Sequence, residues 1–213
     1  MMELLLFFRT FLYVFGTLFA VMNPIGAVPV FLSIIQHCKS YEGMISLAKR
    51  TSVAVFVTLT AFALLGEWIF KFFGSTIDAF AIAGGILLFR MALEMLSGNL
   101  STVKISHEEE EEAVNLSEIA IVPLAIPLIS GPGSITTVMI HMAKNASYLG
   151  KAAVMLAILI TSFLVYVVLR SAEKVQQRLG KVGIRLITRM MGLILASMAV
   201  QLVINGIKGA FGL

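Results

Sequence analysis

All five prolines of the chain lie inside two apolar segments long enough to cross a membrane, and this limits what the chain can fold into. Pro24 and Pro29 fall in the first segment, and Pro123, Pro127 and Pro132 in the second. Two of them sit in small-residue motifs, Asn23-Pro24-Ile25-Gly26 and Gly131-Pro132-Gly133-Ser134. A proline inside a helix removes an N–H and pushes away the carbonyl four residues earlier. In hydrocarbon, such a break is tolerated only where protein or a water-filled cavity satisfies the freed groups. Two broken helices at corresponding places in two halves of a chain point to a transporter-like binding site.

The class follows from composition. Of the 213 residues, 59% are apolar and only 13% charged, against roughly a quarter charged in a soluble domain. Six stretches, 4–35, 53–73, 77–96, 119–142, 152–169 and 187–207, are apolar enough to be membrane helices. A hydrocarbon layer of roughly 30 Å needs about 20 helical residues. The expected fold is therefore all-α and polytopic, a single transmembrane domain over 1–213. Its first segment lacks a basic n-region and is too long for a signal peptide, so it is expected to be retained. Cys38 is the only cysteine, which excludes an internal disulfide and argues against a cysteine-based metal site. The formal net charge of +4 is modest and gives no reason to expect nucleic-acid binding.

The basic residues set the orientation. With six spans, the side that carries both termini holds Arg9, Lys71, Lys144, Lys151 and Lys208. The opposite side holds Lys39, Lys49, Arg50, Lys104, Arg170, Lys174, Arg178, Lys181, Arg185 and Arg189. The second group is expected in the cytoplasm, with both termini outside.

The halves also repeat one another. Asn23-Pro24 matches Gly131-Pro132 at an offset of 108, and Gly74 matches Gly180 at 106. Gly85 with Met91-Ala92 matches Gly192 with Met198-Ala199 at 107. Repeat one covers about 1–99, an acidic cytoplasmic linker about 100–117, and repeat two about 118–213. Three spans per repeat invert the second copy relative to the first. The plain alternative is that glycine and proline are simply common in membrane helices.

Breakage of helices 1 and 4 implies a particular chemistry. The first segment of 32 residues would be about 48 Å long as one straight helix, and tilt explains neither its prolines nor Gly26. A half-helix beginning near Ile25, Gly26 and Ala27 would present free N–H groups and a positive dipole end. A second, near Gly133 and Ser134, would do the same, with the Ser134 hydroxyl as an extra donor. Such ends bind carboxylates. The preceding half-helices end in carbonyls that could receive an ammonium group, helped by the Asn23 side-chain oxygen. The candidate substrate-binding residues are Asn23, Pro24, Ile25, Gly26, Ala27, Ser130, Gly131, Pro132, Gly133 and Ser134. Their small volume suits a small zwitterionic amino acid. Two merely kinked helices that serve packing are the competing reading.

The motif Asn23–Gly26 and the run Pro127-Leu128-Ile129-Ser130-Gly131-Pro132-Gly133 resemble the MarC family of small six-span prokaryotic membrane proteins. The resemblance spans essentially the whole chain. Its archaeal members that transport small neutral amino acids imply glycine and alanine as substrates, a central site at broken helices 1 and 4, and residence in the prokaryotic cytoplasmic (inner) membrane. The family resemblance leans towards proton coupling, although sodium held by backbone carbonyls stays open. No cofactor or catalytic residue is expected.

Arg90 and Glu94 lie four apart in the third segment and share a helix face. A charge pair inside a membrane is a functional candidate by default. Their counterparts in the other half are Ser197 and Gln201, however, so a structural pair is favoured over a coupling element. Asp78 is read as an interfacial cap and Asn205 as polar packing. Ser106, His107 and the run Glu108 to Glu112 read as a solvated linker, and 174–189 as a basic, partly amphipathic stretch at the anionic cytoplasmic membrane surface. His37 and His141 read as interfacial.

An exporter or channel for another small polar solute is the main alternative function. A channel would conduct without saturating, whereas a carrier would saturate and show counterflow. An enzyme is not expected, because the chain lacks the Gly-x-Ser-Gly, Gly-x-Gly-Asp and His-Glu-x-x-His patterns and an ATP-binding loop. Oligomeric state and transport direction leave no mark in the sequence.

Overall fold

The computed structural model of the chain describes residues 2–35, 41–97, 125, 129–145 and 147–212. The acidic linker, Pro123, Pro127, His37, Cys38 and His107 lie outside these. Among the described residues every regular element is helical: α1 (Met2–Met22), α2 (Val28–Ile35), α3 (Tyr41–Phe72), α4 (Ile77–Ser97), α5 (Pro132–Lys144), α6 (Tyr148–Arg170) and α7 (Ala172–Phe211).

Five of these helices are long and apolar enough to cross a membrane: α1, α3, α4, α6 and α7. Their apolar residues face two ways. Leu59, Leu88, Ile158 and Leu195 are buried in the bundle, while Leu64, Leu87, Leu159 and Leu193 are exposed on neighbouring helix faces. A soluble protein would not leave so much apolar surface uncovered. Lipid can cover it.

Two helices run further than their apolar stretches. Helix α3 starts at Tyr41 rather than near residue 53, and α7 starts at Ala172 rather than near 187. The added turns are amphipathic: Met44, Leu47 and Ala48 are buried in α3, and Ala172 and Ile184 in α7, while Lys49, Arg50, Lys174 and Arg185 stay exposed. Helix α7 is interrupted at Gly180, where φ is 62° and ψ is 177°, a conformation open essentially to glycine. The basic stretch 174–189 thus straddles this interruption.

Helix α6 is central, packing against α1, α3 and α5. It buries Ala153, Ala157, Thr161, Val165 and Leu169 in a row four residues apart, as a helix face must. Helix α4 packs most extensively on α7, and glycines bring the two backbones close. A Cβ at Gly85 would lie 2.9 Å from the Ala199 oxygen and 3.1 Å from the Val203 nitrogen. A Cβ at Gly192 would lie 3.1 Å from the Ala92 oxygen and 3.2 Å from the Leu96 nitrogen. Close backbone approach through small residues is how membrane helices associate without a hydrophobic driving force.

Candidate functional site

The first apolar segment is broken where its prolines and Gly26 predict. Helix α1 ends at Met22, the chain turns over Asn23–Ala27, and α2 begins at Val28. Asn23 makes the turn with a φ of 40°, a region that asparagine tolerates better than most residues. Its Oδ1 accepts the Gly26 N–H at 3.2 Å, and its carbonyl accepts the Ala27 N–H at 3.2 Å. The Ile25 carbonyl, which lies four residues before Pro29 and so loses its helical donor, accepts the Val28 N–H at 3.2 Å. Pro29, as the second residue of α2, has no N–H to leave unpaired. The turn therefore satisfies most of its own polar groups. A Cβ at Gly26 would meet the Asn23 amide, so a larger residue there must displace that capping side chain.

The second break is built differently. The Ser130 N–H reaches back five residues to the Ala125 carbonyl at 2.8 Å, one residue beyond the usual helical reach. Gly131 then extends (φ −62°, ψ 176°), and Pro132 opens α5 with no side chain capping its first turn. The Ser134 hydroxyl, expected to face a ligand, donates to the Ile129 carbonyl at 3.0 Å. Thr137 is also committed, donating to the Gly133 carbonyl at 2.8 Å. The Ser130 hydroxyl is fully buried and finds no partner. A buried hydroxyl without a partner costs on the order of 1–3 kcal/mol, so it marks a position where something else bonds or where strain is stored. Sequence reading offered the Ser134 hydroxyl as the extra donor and Ser130 only as lining; the structure pairs Ser134 within the chain and leaves Ser130 unpartnered.

The structure brings the two breaks together. A Cβ at Gly133 would meet Leu88 of α4 and lie 3.1 Å from Val21 Cγ1 of α1. Val21 is two residues before Asn23, so the C-terminal end of α1 lies beside the N-terminal turn of α5. The negative dipole end of α1 thus lies beside the positive dipole end of α5, whose first turn has no side-chain cap. Around this junction Asn23, Pro24, Gly26, Ala27, Ser130, Gly131, Gly133 and Ser134 are buried; Ile25 is partly exposed and Pro132 exposed.

The remaining polar candidates stand apart. Arg90 and Glu94 pair at 3.3 Å with side chains 79% and 39% exposed, on the outer surface of α4. Asn205 accepts from Gln201 at 2.9 Å, also at an exposed position. The Asp78 carboxylate in the first turn of α4 lies against Gly209 of α7. The His141 ring packs edge-on against Tyr13, with centroids 5.3 Å apart.

A family model described as "MarC family integral membrane protein" matches residues 8–211. Among curated relatives, an UPF0056 membrane protein of Pyrococcus horikoshii is 58% identical, covering 96% of this chain and 98% of its own length. One from Methanocaldococcus jannaschii is 48% identical over 94% and 97%. The UPF0056 membrane protein YhcE of Escherichia coli is 34% identical over 96% and 94%. No solved structure matches the chain.

Proposed function

The chain belongs to the MarC family of integral membrane proteins, and from that premise we propose that it is a secondary transporter of small neutral amino acids, glycine and alanine, working by alternating access. The substrate lies at the junction of the two broken helices. Its carboxylate meets the uncapped start of α5 and the Ser130 hydroxyl, and its ammonium group meets the carbonyl end of α1. The observation that carries this reading is the buried, unpartnered Ser130 hydroxyl at that junction.

In this reading α5 and the residues before it form a sixth span, and two three-helix repeats are inverted about an axis in the membrane plane. Several features support the repeat. Gly74 and Gly180, matched in sequence, precede α4 and the long second part of α7 with φ of 63° and 62°. Gly85 packs on Ala199 and Val203 as Gly192 packs on Ala92 and Leu96; every pair is related by the same offset of 107. Exchanging the halves also turns the α1–α6 packing into α5–α3, and α4–α5 into α7 with α1 and α2, all of which occur. We place the protein in the prokaryotic cytoplasmic membrane with both termini outside, on the distribution of its basic residues. It acts as a carrier and not as an enzyme.

The test is counterflow of labelled glycine in proteoliposomes. The carrier reading expects saturable exchange, competed by alanine and not by large or charged amino acids. Unsaturable flux would favour a channel. Absence of flux from verified, folded protein would sink the amino-acid reading.

A further inference from the structure

A second polar feature lies away from the broken helices, at the start of α7. Lys174, Arg178, Lys181, Arg185 and Arg189 are all exposed, and among the described residues none of the five forms an ion pair. Glu173 is the only acidic residue in the whole of α7. Beyond Gly180 the pattern is regular. Lys181, Arg185 and Arg189 stand four apart and so share one helix face. The residue after each is apolar and exposed: Val182 at 80%, Leu186 at 59% and Met190 at 58%. Ile184 and Thr188, on the other side of the basic row, are buried in the bundle. A row of cations thus runs along α7 between the bundle and an apolar row.

The length of α7 sets the depth of these rows. From Lys181 to Phe211 the helix is about 46 Å long at 1.5 Å per residue, against roughly 30 Å of hydrocarbon. Lys208 marks its other end, so most of the surplus of about ten residues lies at the start. Lys181 and Arg185 therefore fall in the headgroup layer, and Arg189 at its boundary with the hydrocarbon. Unpaired cations at that depth attract negative lipid, and a guanidinium group can hold a phosphate through two parallel hydrogen bonds. A second copy meeting this face symmetrically would bring the same row of cations against it, and like charges repel. An anionic lipid joins a negative phosphate to a hydrocarbon chain, so it can meet both rows at once; a soluble anion meets only the first. We propose that Lys181, Arg185 and Arg189 form a binding site for an anionic lipid. Its phosphate bonds the basic row, and a hydrocarbon chain lies along Val182, Leu186 and Met190. The site needs only residence in a membrane, which the family establishes, and does not depend on what the protein transports.

The experiment is native mass spectrometry of the full chain, released from micelles that hold equal amounts of phosphatidylglycerol and zwitterionic phosphatidylcholine. Each cation close to a negative lipid contributes about fivefold in affinity. The parent should therefore retain phosphatidylglycerol over phosphatidylcholine by on the order of a hundredfold. Arg185→Gln should cut that preference about fivefold, and the triple variant Lys181→Gln, Arg185→Gln, Arg189→Gln should abolish it. Lys144→Gln and Lys208→Gln, in the last turns of α5 and α7, remove the same charge elsewhere and should leave the preference unchanged. Inorganic phosphate in excess should not displace the lipid. Melting in the same micelles checks that the triple variant is folded; were it not, Arg185→Gln against Lys208→Gln would decide alone. Equal retention of the two lipids by the parent, or a preference that survives the triple variant, would overturn the site. Displacement by inorganic phosphate would make it a site for a soluble anion instead. A complex of doubled mass, lost in the triple variant, would give the face to a second copy of the chain.

Discussion

The two interrupted helices answer to matching motifs, yet they are finished in opposite ways. At Asn23–Ala27 the asparagine turns the chain itself (φ 40°) and caps Gly26 with its own side chain. At Ser130–Pro132 the chain turns through a wide five-residue bond, α5 starts uncapped, and the Ser130 hydroxyl is left without a partner. The first break satisfies most of its own hydrogen bonding. The second carries unmet hydrogen-bonding capacity at Ser130, which is why the proposed site rests on it. Matching motifs need not be finished alike, and the hydrogen bonds distinguish a self-capped break from one that leaves a buried hydroxyl without a partner.

The largest expected effect comes from the glycines of the two breaks. Gly133→Leu would drive its side chain into the buried Leu88 and Val21, destabilising the fold by about 3 kcal/mol. Loss of transport in that variant would report packing rather than a filled site, so thermal melting in detergent is the measurement that interprets it. Gly26→Ala should be milder, at about 1 kcal/mol, because the Asn23 amide it meets is the movable end of a side chain. Equal losses at the two positions would contradict the contrast between a packed break and a self-capped one.

Asn23 comes next. Asn23→Ala loses both the cap on Gly26 and the tolerance for positive φ, a cost of about 2 kcal/mol. Asn23→Gly keeps the backbone freedom and loses only the hydrogen bond, at about 1 kcal/mol. Melting temperatures of the pair therefore divide the turn into its backbone and side-chain parts. Substrate affinity should follow neither if Asn23 is purely a hinge.

How much of this was legible in the sequence depends on which physical signal carries it. Pro24, Gly26, Pro132 and Gly133 announced both interruptions, because proline and glycine act through the backbone and need no tertiary context. Hydropathy gave the apolar cores of α1, α3, α4, α6 and α7. It missed the amphipathic turns at 41–52 of α3, since lysines and arginines hide a buried stripe from a window average, whereas 174–189 reads as partly amphipathic but not as the start of α7. The roles of Ser130 and Ser134 were beyond reach. They depend on whether the turn before Pro132 closes over four residues or five, and Pro132 disturbs that bonding without specifying it. Arg90 and Glu94 were correctly paired by spacing, but spacing cannot tell an inward face from the outer surface where the structure puts them.

The serines sharpen the comparison most directly, with smaller effects on stability. Ser130→Ala removes an orphaned hydroxyl, so the protein should melt unchanged or be stabilised by up to about 1 kcal/mol. Glycine counterflow should nonetheless need about tenfold more substrate, because a hydrogen bond to a carboxylate is lost. Ser134→Ala should show the reverse pattern: about 1 kcal/mol less stable, since the Ile129 carbonyl loses its donor, with affinity nearly unchanged. If Ser134→Ala were the variant that lost affinity, the ligand would be bonding through a rearranged first turn of α5.

The smallest effect is expected at Arg90 and Glu94. The pair is exposed, sits one turn apart on α4, and has Ser197 and Gln201 at the equivalent places of the other half. A charge needed to drive both halves through one cycle should face the shared site, and this pair faces away. Arg90→Gln, Glu94→Gln and the double variant should each change stability by no more than about 0.5 kcal/mol. A double-mutant cycle should give a coupling of the same small size, weakening further in high salt. Counterflow, and its response to an imposed proton or sodium gradient, should survive all three substitutions. If Glu94→Gln abolished gradient-driven uptake but left counterflow intact, the carboxylate would be the coupling group. The two breaks would then hold the substrate while α4 alone carried the ion.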